Sequence, residues 1–277
     1  MDYIGIDLGG TNVRAGLIRG KQMLSNAATR INSKGSVEEV FEQIYSVIDQ
    51  LDREKVAGIG IGVPSVVNVE KGIVYDVQNI PSWVEVPVKD TLEQKYGLPV
   101  AVNNDANCFA MAEYHFGKGQ GSRSMVGMIV GTGIAGGIII NGKLFEGANC
   151  GAGEFGMINY LDKYFEYYAC GQFFDHVYGV KGEDIAEKVK RGDEEAIRIM
   201  NELGTHIGKT VEAVLYAYDP EIIVLGGSVS KSYPLYKEAL WKALEGFAFS
   251  PVVKNLKIEA SALEDPGIWG AAALNLE

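Results

Sequence analysis

Residues 3–19, YIGIDLGGTNVRAGLIR, constrain the fold of this chain more than any other stretch. Two apolar runs, 3–7 and 13–18, flank a Gly-Gly-Thr-Asn turn. β-Branched runs bounded by glycines predict a β-hairpin. Gly9 and Gly10 allow positive φ and a close backbone approach to a ligand, while Thr11 and Asn12 bring side-chain donors to the tip. Successive amide N–H groups in such a turn make a concavity suited to an anion. Asp7 ends the first strand with a carboxylate expected to face that concavity, and Arg14 follows on the return strand. A divalent cation carrying phosphate would sit beside Asp7. A Gly-Gly hairpin is usually only a turn; Asp7, Thr11, Arg14 and a second copy later in the chain set this one apart.

The rest of the chain repeats what the hairpin begins. Residues 22–31 supply a third strand, and Ser36 caps a helix with apolar residues at 37, 40, 41, 44, 47, 48 and 51, a one-sided helical spacing. A buried strand (56–63, ended by Pro64), a loop, a helix (88–96), a strand (99–102) and a helix (105–115) complete the order βββαβαβα. A polar link, GKGQGSRS at 117–124, reads as a boundary. Two strands, 125–130 and 133–141, then surround Gly131, Thr132 and Gly133, with a tight turn at Asn141–Gly142 and a third strand at 143–145. After a glycine-rich insert (147–156) come helices near 164–177 and 182–191, a long helix over 193–218 and a strand at 221–225. A Gly226–Gly227 turn, a helix (233–247), a strand (256–260) and a helix (266–276) close the chain. A duplicated α/β order predicts two similar domains with helices on mixed sheets. The cleft between them is the default ligand site, with one anion cradle from each domain.

The net charge of −11 argues against a general nucleic-acid or anionic-membrane surface. No signal peptide precedes the first strand, and no apolar run reaches the roughly 18 residues of a membrane helix, so a cytoplasmic protein is expected. The cysteines Cys108, Cys150 and Cys170 are odd in number and widely spaced, which indicates neither a disulfide framework nor a zinc site.

Together, the order and spacing of these segments resemble the ROK family of sugar kinases, within the actin/hexokinase/Hsp70 superfamily, from end to end. IDLGGTNVRAGL resembles the family's first phosphate motif, GIGVP its sugar-side strand, VNNDAN its catalytic segment and VGTGIAGGIII its second phosphate motif. GAGEFG resembles the sugar-binding insert, FEYYACG the Leu-Glu-x-x-x-Ser-Gly segment, IIVLGGSVS the adenosine motif and EDPGIWGAAAL the closing helix. The resemblance implies an α/β fold of two duplicated actin-like (ribonuclease H-like) βββαβαβα domains around an interdomain cleft. Residues 1–116, completed by 265–277, would be the sugar and phosphate side, and residues 117–264 the nucleotide side.

It also implies ATP-dependent phosphorylation, glucokinase-like, of a hexose or N-acylhexosamine hydroxyl, with the 6-hydroxyl favoured. Asp105, where a strand meets a helix N-terminus, would be the general base, although an isolated Asp there is more often a plain helix cap. Asn104, Glu154 and Glu166 would bind sugar hydroxyls, a carboxylate being a strong acceptor. Asp7, Gly9, Gly10, Thr11, Asn12, Arg14, Gly131, Thr132 and Gly133 would position phosphates, with Asp7 holding Mg²⁺ through water. Gly226, Gly227 and Ser228 would admit adenosine. Trp83 is equally well read as core.

Two departures matter most. Met157 stands where the family carries His, three residues after the insert glutamate, and is expected to bear on the choice of sugar. The segment 158–165 lacks the cysteines of the family's zinc loop, so no structural zinc is expected. A homodimer is the family's habit. Two further readings remain. A repressor of this family needs a helix-turn-helix before the first hairpin, which here begins at residue 3. A non-catalytic sugar-sensing or regulatory protein is disfavoured by Asp105 together with both glutamates.

Overall fold

The computed structural model describes residues 1–276. In chain order the elements of the first half are β1 (Asp2–Leu8), β2 (Asn12–Arg19), β3 (Gln22–Arg30), α1 (Val37–Ile48), β4 (Val56–Val63), β5 (Val66–Asn68), β6 (Ile73–Tyr75), β7 (Glu85–Pro87), α2 (Val88–Tyr96), β8 (Val100–Asn104) and α3 (Asp105–Phe116). There follow β9 (Met125–Val130), β10 (Ile134–Ile140), β11 (Lys143–Leu144), β12 (Asn159–Tyr160), β13 (Lys163–Tyr164), α4 (Phe165–Ala169), α5 (Phe173–Tyr178), α6 (Gly182–Lys190) and α7 (Glu194–Tyr218). The last elements are β14 (Ile222–Gly226), α8 (Tyr233–Ala243), α9 (Ser250–Asn255), β15 (Lys257–Ala260) and α10 (Pro266–Ala273).

The duplication expected from the sequence is visible in the sheets. One has the order β3-β2-β1-β4-β8 and the other β11-β10-β9-β14-β15, so each places its third, second, first, fourth and fifth strands side by side. In the first sheet β1–β2 and β2–β3 pair antiparallel while β1–β4 and β4–β8 pair parallel. In the second, β10–β11 is antiparallel, and β9–β14 and β14–β15 are parallel.

Two compact units can be drawn. Unit 1 comprises Met1–Gly121, Gly137–Ala152 and Ala262–Glu277; unit 2 comprises Ser122–Gly136 and Gly153–Ser261. Residues 137–152, which fall inside the second domain as read from sequence, thus group with the first unit.

Local chemistry explains the helix starts. Ser36 and Glu39 form a capping box at α1, with Ser36 N–H donating to Glu39 Oε2 at 2.8 Å. The Asn104 and Asp193 side chains accept from Ala106 N–H and Ala196 N–H, each at 2.8 Å, to cap α3 and α7. The buried face of α1 (Val40, Phe41, Ile44, Val47, Ile48) joins the strands of unit 1 in one core. Trp83 is wholly buried there, 5.4 Å from the Phe41 ring, which settles its reading as core.

Glycines in β1 and β4 let α10 lie directly on the sheet. A Cβ at Gly5 would fall 1.9 Å from the Ile268 carbonyl oxygen, and one at Gly60 would fall 1.7 Å from that of Ala271. Gly270 meets α3 in the same way, 1.6 Å from the Cys108 carbonyl oxygen.

Five details differ from the sequence reading, the first being that the closing helix, expected over 266–276, ends at Ala273. The loop after β4 contains a three-stranded sheet, β5-β6-β7. The helix expected over 164–177 is two helices, α4 and α5. The helix expected to run to 247 stops at Ala243, and α9 follows it. Segment 158–165 forms the β12–β13 hairpin. Among the described residues no helix is long and apolar enough to cross a membrane.

Candidate active site

In unit 1, β1 and β2 carry the first hairpin in register Asp7↔Arg14 and Leu8↔Val13, with Gly9 N–H donating to the Asn12 carbonyl at 2.9 Å. Thr11 and Asn12 are exposed at the tip. Neither Gly9 nor Gly10 takes the positive φ that the Gly-Gly turn led one to expect. The lack of a side chain serves packing at Gly10, where a Cβ would lie 2.6 Å from the Asn79 Cβ, whereas at Gly9 the nearest atom would be an ordinary 3.4 Å away.

Arg14 donates to Asp7 Oδ2 and to Asp265 Oδ1, both at 2.5 Å. Its charge is therefore shared between two carboxylates, and it fixes Asp7 at the end of β1. Asp265, just before α10, joins Asp7 on Arg14, a partner that sequence reading missed; the EDPG run holding it was the available signal.

The strand-to-helix junction of β8 and α3 carries Asn104 and Asp105. Asn104 caps α3 and also donates from Nδ2 to the Ser65 carbonyl at 3.2 Å. Asp105 is half-buried in the first turn of α3, where the amide dipoles favour negative charge, and its Oδ1 accepts from Ala106 N–H at 2.9 Å. The wholly buried Cys108 thiol has its pKa raised well above the ordinary value, first by burial and then by the Asp105 and Asp7 carboxylates. Both acids thus lie within electrostatic reach of one point in unit 1.

Unit 2 gathers the second hairpin and both glutamates. Gly131 N–H donates to the Gly133 carbonyl at 2.9 Å, and Thr132 is exposed at the tip. Glu166, in the first turn of α4, accepts from Ile134 N–H at 2.9 Å. Gly133 is open to this approach because it has no Cβ; one built there would sit 2.3 Å from Glu166 Oε2. The Cys170 thiol donates to the Thr132 and Glu166 carbonyls at 2.8 and 2.9 Å, and burial pushes its pKa up to about 11. It binds α4 to the hairpin as a structural group.

Burial, and after it the Glu166 charge, raises the Glu154 pKa, and Gly156, two residues on, packs against Glu166, a Cβ built on it coming 3.2 Å from the Glu166 Cβ. Met157 closes the short turn after Glu154 and is 55% exposed, which makes it available to a ligand. At the end of β14, Gly227 has φ +81°, and a Cβ there would fall 2.4 Å from the Val130 carbonyl oxygen. Gly131 lies against Ser228, a Cβ on it coming 3.9 Å from Ser228 N. The Gly226–Gly227–Ser228 turn and the 131–133 hairpin therefore meet within unit 2.

Where the family's zinc loop would fall, the β12–β13 hairpin is packed by aromatic rings. Tyr160 stacks on Phe165 at 4.5 Å, and its hydroxyl lies 3.1 Å from His206 Nδ1. Among the described residues no group of three or more His, Cys, Asp or Glu could hold a metal. Elemental analysis of purified protein is expected to find zinc far below one per chain; one zinc per chain would contradict this.

A model of the ROK family matches residues 3–277. The chain is 27% identical to a glucokinase of Thermotoga maritima, covering 99% of this chain and 97% of that one. It is 29% identical to an N-acetyl-D-glucosamine kinase of Vibrio cholerae, covering 99% and 100%. Its fold is similar to that of a ROK family glucokinase from Streptomyces griseus, solved in complex with glucose and AMPPNP. The TM-score is 0.81 and the identity 29%, over 99% of each chain.

Proposed function

This chain belongs to the ROK family, and from that premise we propose that it is an ATP-dependent sugar kinase, transferring the γ-phosphoryl group to the 6-hydroxyl of a hexose or N-acylhexosamine. The observation that carries this reading is the pairing in unit 2 of two neighbouring carboxylates, Glu154 and Glu166, with the 131–133 hairpin. A carboxylate pair is suited to sugar hydroxyls, and a turn of backbone amides to phosphate. The glucokinase and N-acetylglucosamine kinase relatives, and the glucose and AMPPNP held by the Streptomyces protein, support it.

In this reading Asp105 takes the proton of the sugar hydroxyl as its oxygen attacks the γ-phosphorus and ADP leaves. Asn104 has both ends of its amide committed to Ala106 N–H and the Ser65 carbonyl. It therefore meets sugar through the second hydrogen on Nδ2, and holds Asp105 in place. Thr11, Asn12 and the backbone of Gly9 and Gly10 serve phosphate at the first hairpin, and Thr132 with Gly131 and Gly133 serve it at the second. Gly226, Gly227 and Ser228 admit adenosine.

Mg²⁺ needs only one or two protein carboxylates beside water and substrate phosphates. Asp7, anchored through Oδ2 by Arg14, meets that requirement with its other oxygen. When bound, the ion would neutralise charge on the transferred group. We assign to residues 1–116 with 265–277 the base, Asn104 and the first phosphate hairpin, and to residues 117–264 the adenosine turn, the second hairpin and both sugar glutamates, and expect a cytoplasmic homodimer.

Phosphorus and carbon NMR of the product tests the 6-hydroxyl directly. Met157 tests the choice of sugar. A thioether is a weak acceptor at best but accommodates irregular apolar shapes. Met157→His is therefore expected to raise the rate on glucose relative to N-acetylglucosamine by about 3- to 10-fold, the worth of about one hydrogen bond. Unchanged relative rates across a sugar panel would show that Met157 does not read the sugar.

A further inference from the structure

The motif around Asp105 contains Asn103 and Asn107, to which the reaction as described gives no part. Asn103, only 2% exposed, is the centre of a closed set of hydrogen bonds within unit 1. Its Oδ1 accepts from Asn104 N–H at 2.8 Å, Asn107 Nδ2 at 2.9 Å and the Cys150 thiol at 3.3 Å. Its Nδ2 donates to Glu146 Oε1 at 2.5 Å, a charge-assisted bond. Asn107 also donates to Cys150 Sγ at 3.6 Å.

Cys150 joins this network with φ +55°, the left-handed region that residues other than glycine rarely adopt. Burial raises its pKa, and it remains a neutral donor. Three donors converge on one amide oxygen, and the first of them is the backbone N–H of Asn104, the residue before Asp105.

We infer that Asn103, clamped by Glu146 and by the strained Cys150, is a positioning residue that sets the Asp105 carboxylate. The inference rests on the proposal that Asp105 is the base. The strand end cannot rotate about Asn104 without breaking the Asn104 N–H bond, and Asn103 cannot follow without giving up Glu146. Segment 146–150, far from the catalytic motif in sequence, thus holds the base from behind. Misplacing a reacting group by about 1 Å can cost on the order of a hundredfold in rate, so a small loss of order here has a large kinetic effect.

The test uses the full chain with ATP and its best sugar, with circular dichroism and thermal melting on every variant. Asn103→Ala is expected to lower kcat about 10- to 100-fold while KM for ATP and sugar each change by less than about threefold. The acid limb of the kcat/KM profile should also move. Glu146→Ala should lower kcat in the same direction, and Glu146→Gln, which still accepts from Asn103 Nδ2, should return it to within about threefold of wild type. A merely structural role would lower the melting temperature without separating kcat from KM, shifting the profile or being rescued by Gln, and that pattern overturns the inference. If Asn103→Ala fails to fold, the Glu146→Ala and Glu146→Gln pair decides alone. Asp105→Asn is measured beside them. If it is inactive while the Asn103 and Glu146 variants keep wild-type kcat, only the positioning role fails. If Asp105→Asn is fully active, Asp105 is not the base and both ideas fall.

Discussion

Asp105→Asn is expected to lower kcat by about 10²–10⁴, the span of a lost general base, with sugar affinity changing only a few-fold. The substitution isolates proton transfer because an amide oxygen can still accept from Ala106 N–H, the 2.9 Å bond that Asp105 makes in the first turn of α3. That bond, which adds to the Asn104 cap on the same N–H, therefore survives and the carboxylate basicity does not. Asp105→Ala removes both and should cost at least as much, with a lower melting temperature. Steady-state kinetics paired with calorimetric sugar binding read the two effects apart. A kcat within a few-fold of wild type would place the base elsewhere.

The second large effect is expected at Glu166. Its carboxylate accepts from Ile134 N–H and, in the proposed reading, from sugar hydroxyls. Hydrogen bonds to a charged group are worth about 1.5–3 kcal/mol each, or about 10- to 150-fold. Glu166→Ala should therefore lower kcat/KM for sugar by at least about tenfold while KM for ATP moves little. Gly133→Ala should reproduce part of this loss, since its Cβ would fall 2.3 Å from Glu166 Oε2 and displace the carboxylate. Residues that act through one group are not additive. The double variant is accordingly expected to be little worse than Glu166→Ala alone. Full additivity, or a Glu166→Ala enzyme with wild-type sugar kinetics, would remove Glu166 from the sugar site.

How much of this was legible depends on how local its cause is. The α1 start was legible because Ser36 and Glu39 cap each other three residues apart. The two five-stranded sheets were legible because runs of apolar residues and Gly-rich turns recur in the same order. The motifs also placed Asp7, Asp105, Glu154 and Glu166 on the elements that carry them here.

What was misread, or could not be read, has causes that the local pattern does not carry. Gly10 is packed by Asn79 and does not take positive φ. Gly5 and Gly60 are dictated by α10, more than two hundred residues later. The β5-β6-β7 strands are three residues each, too short to show a period of two. The break between α4 and α5 lies at Cys170, whose thiol bonds the Thr132 carbonyl. Asp265 and the Asn103–Glu146 bond were invisible for the same reason, each pairing residues far apart in sequence.

The most direct measurement of the central claim is ADP release, coupled to a spectroscopic readout, from ATP and Mg²⁺ across a panel of hexoses and N-acetylhexosamines. The account predicts release that depends on sugar, with glucose, N-acetylglucosamine or a close relative giving a turnover well above the rate without sugar. Folded protein, verified by circular dichroism, that releases ADP no faster with any sugar than without would contradict it.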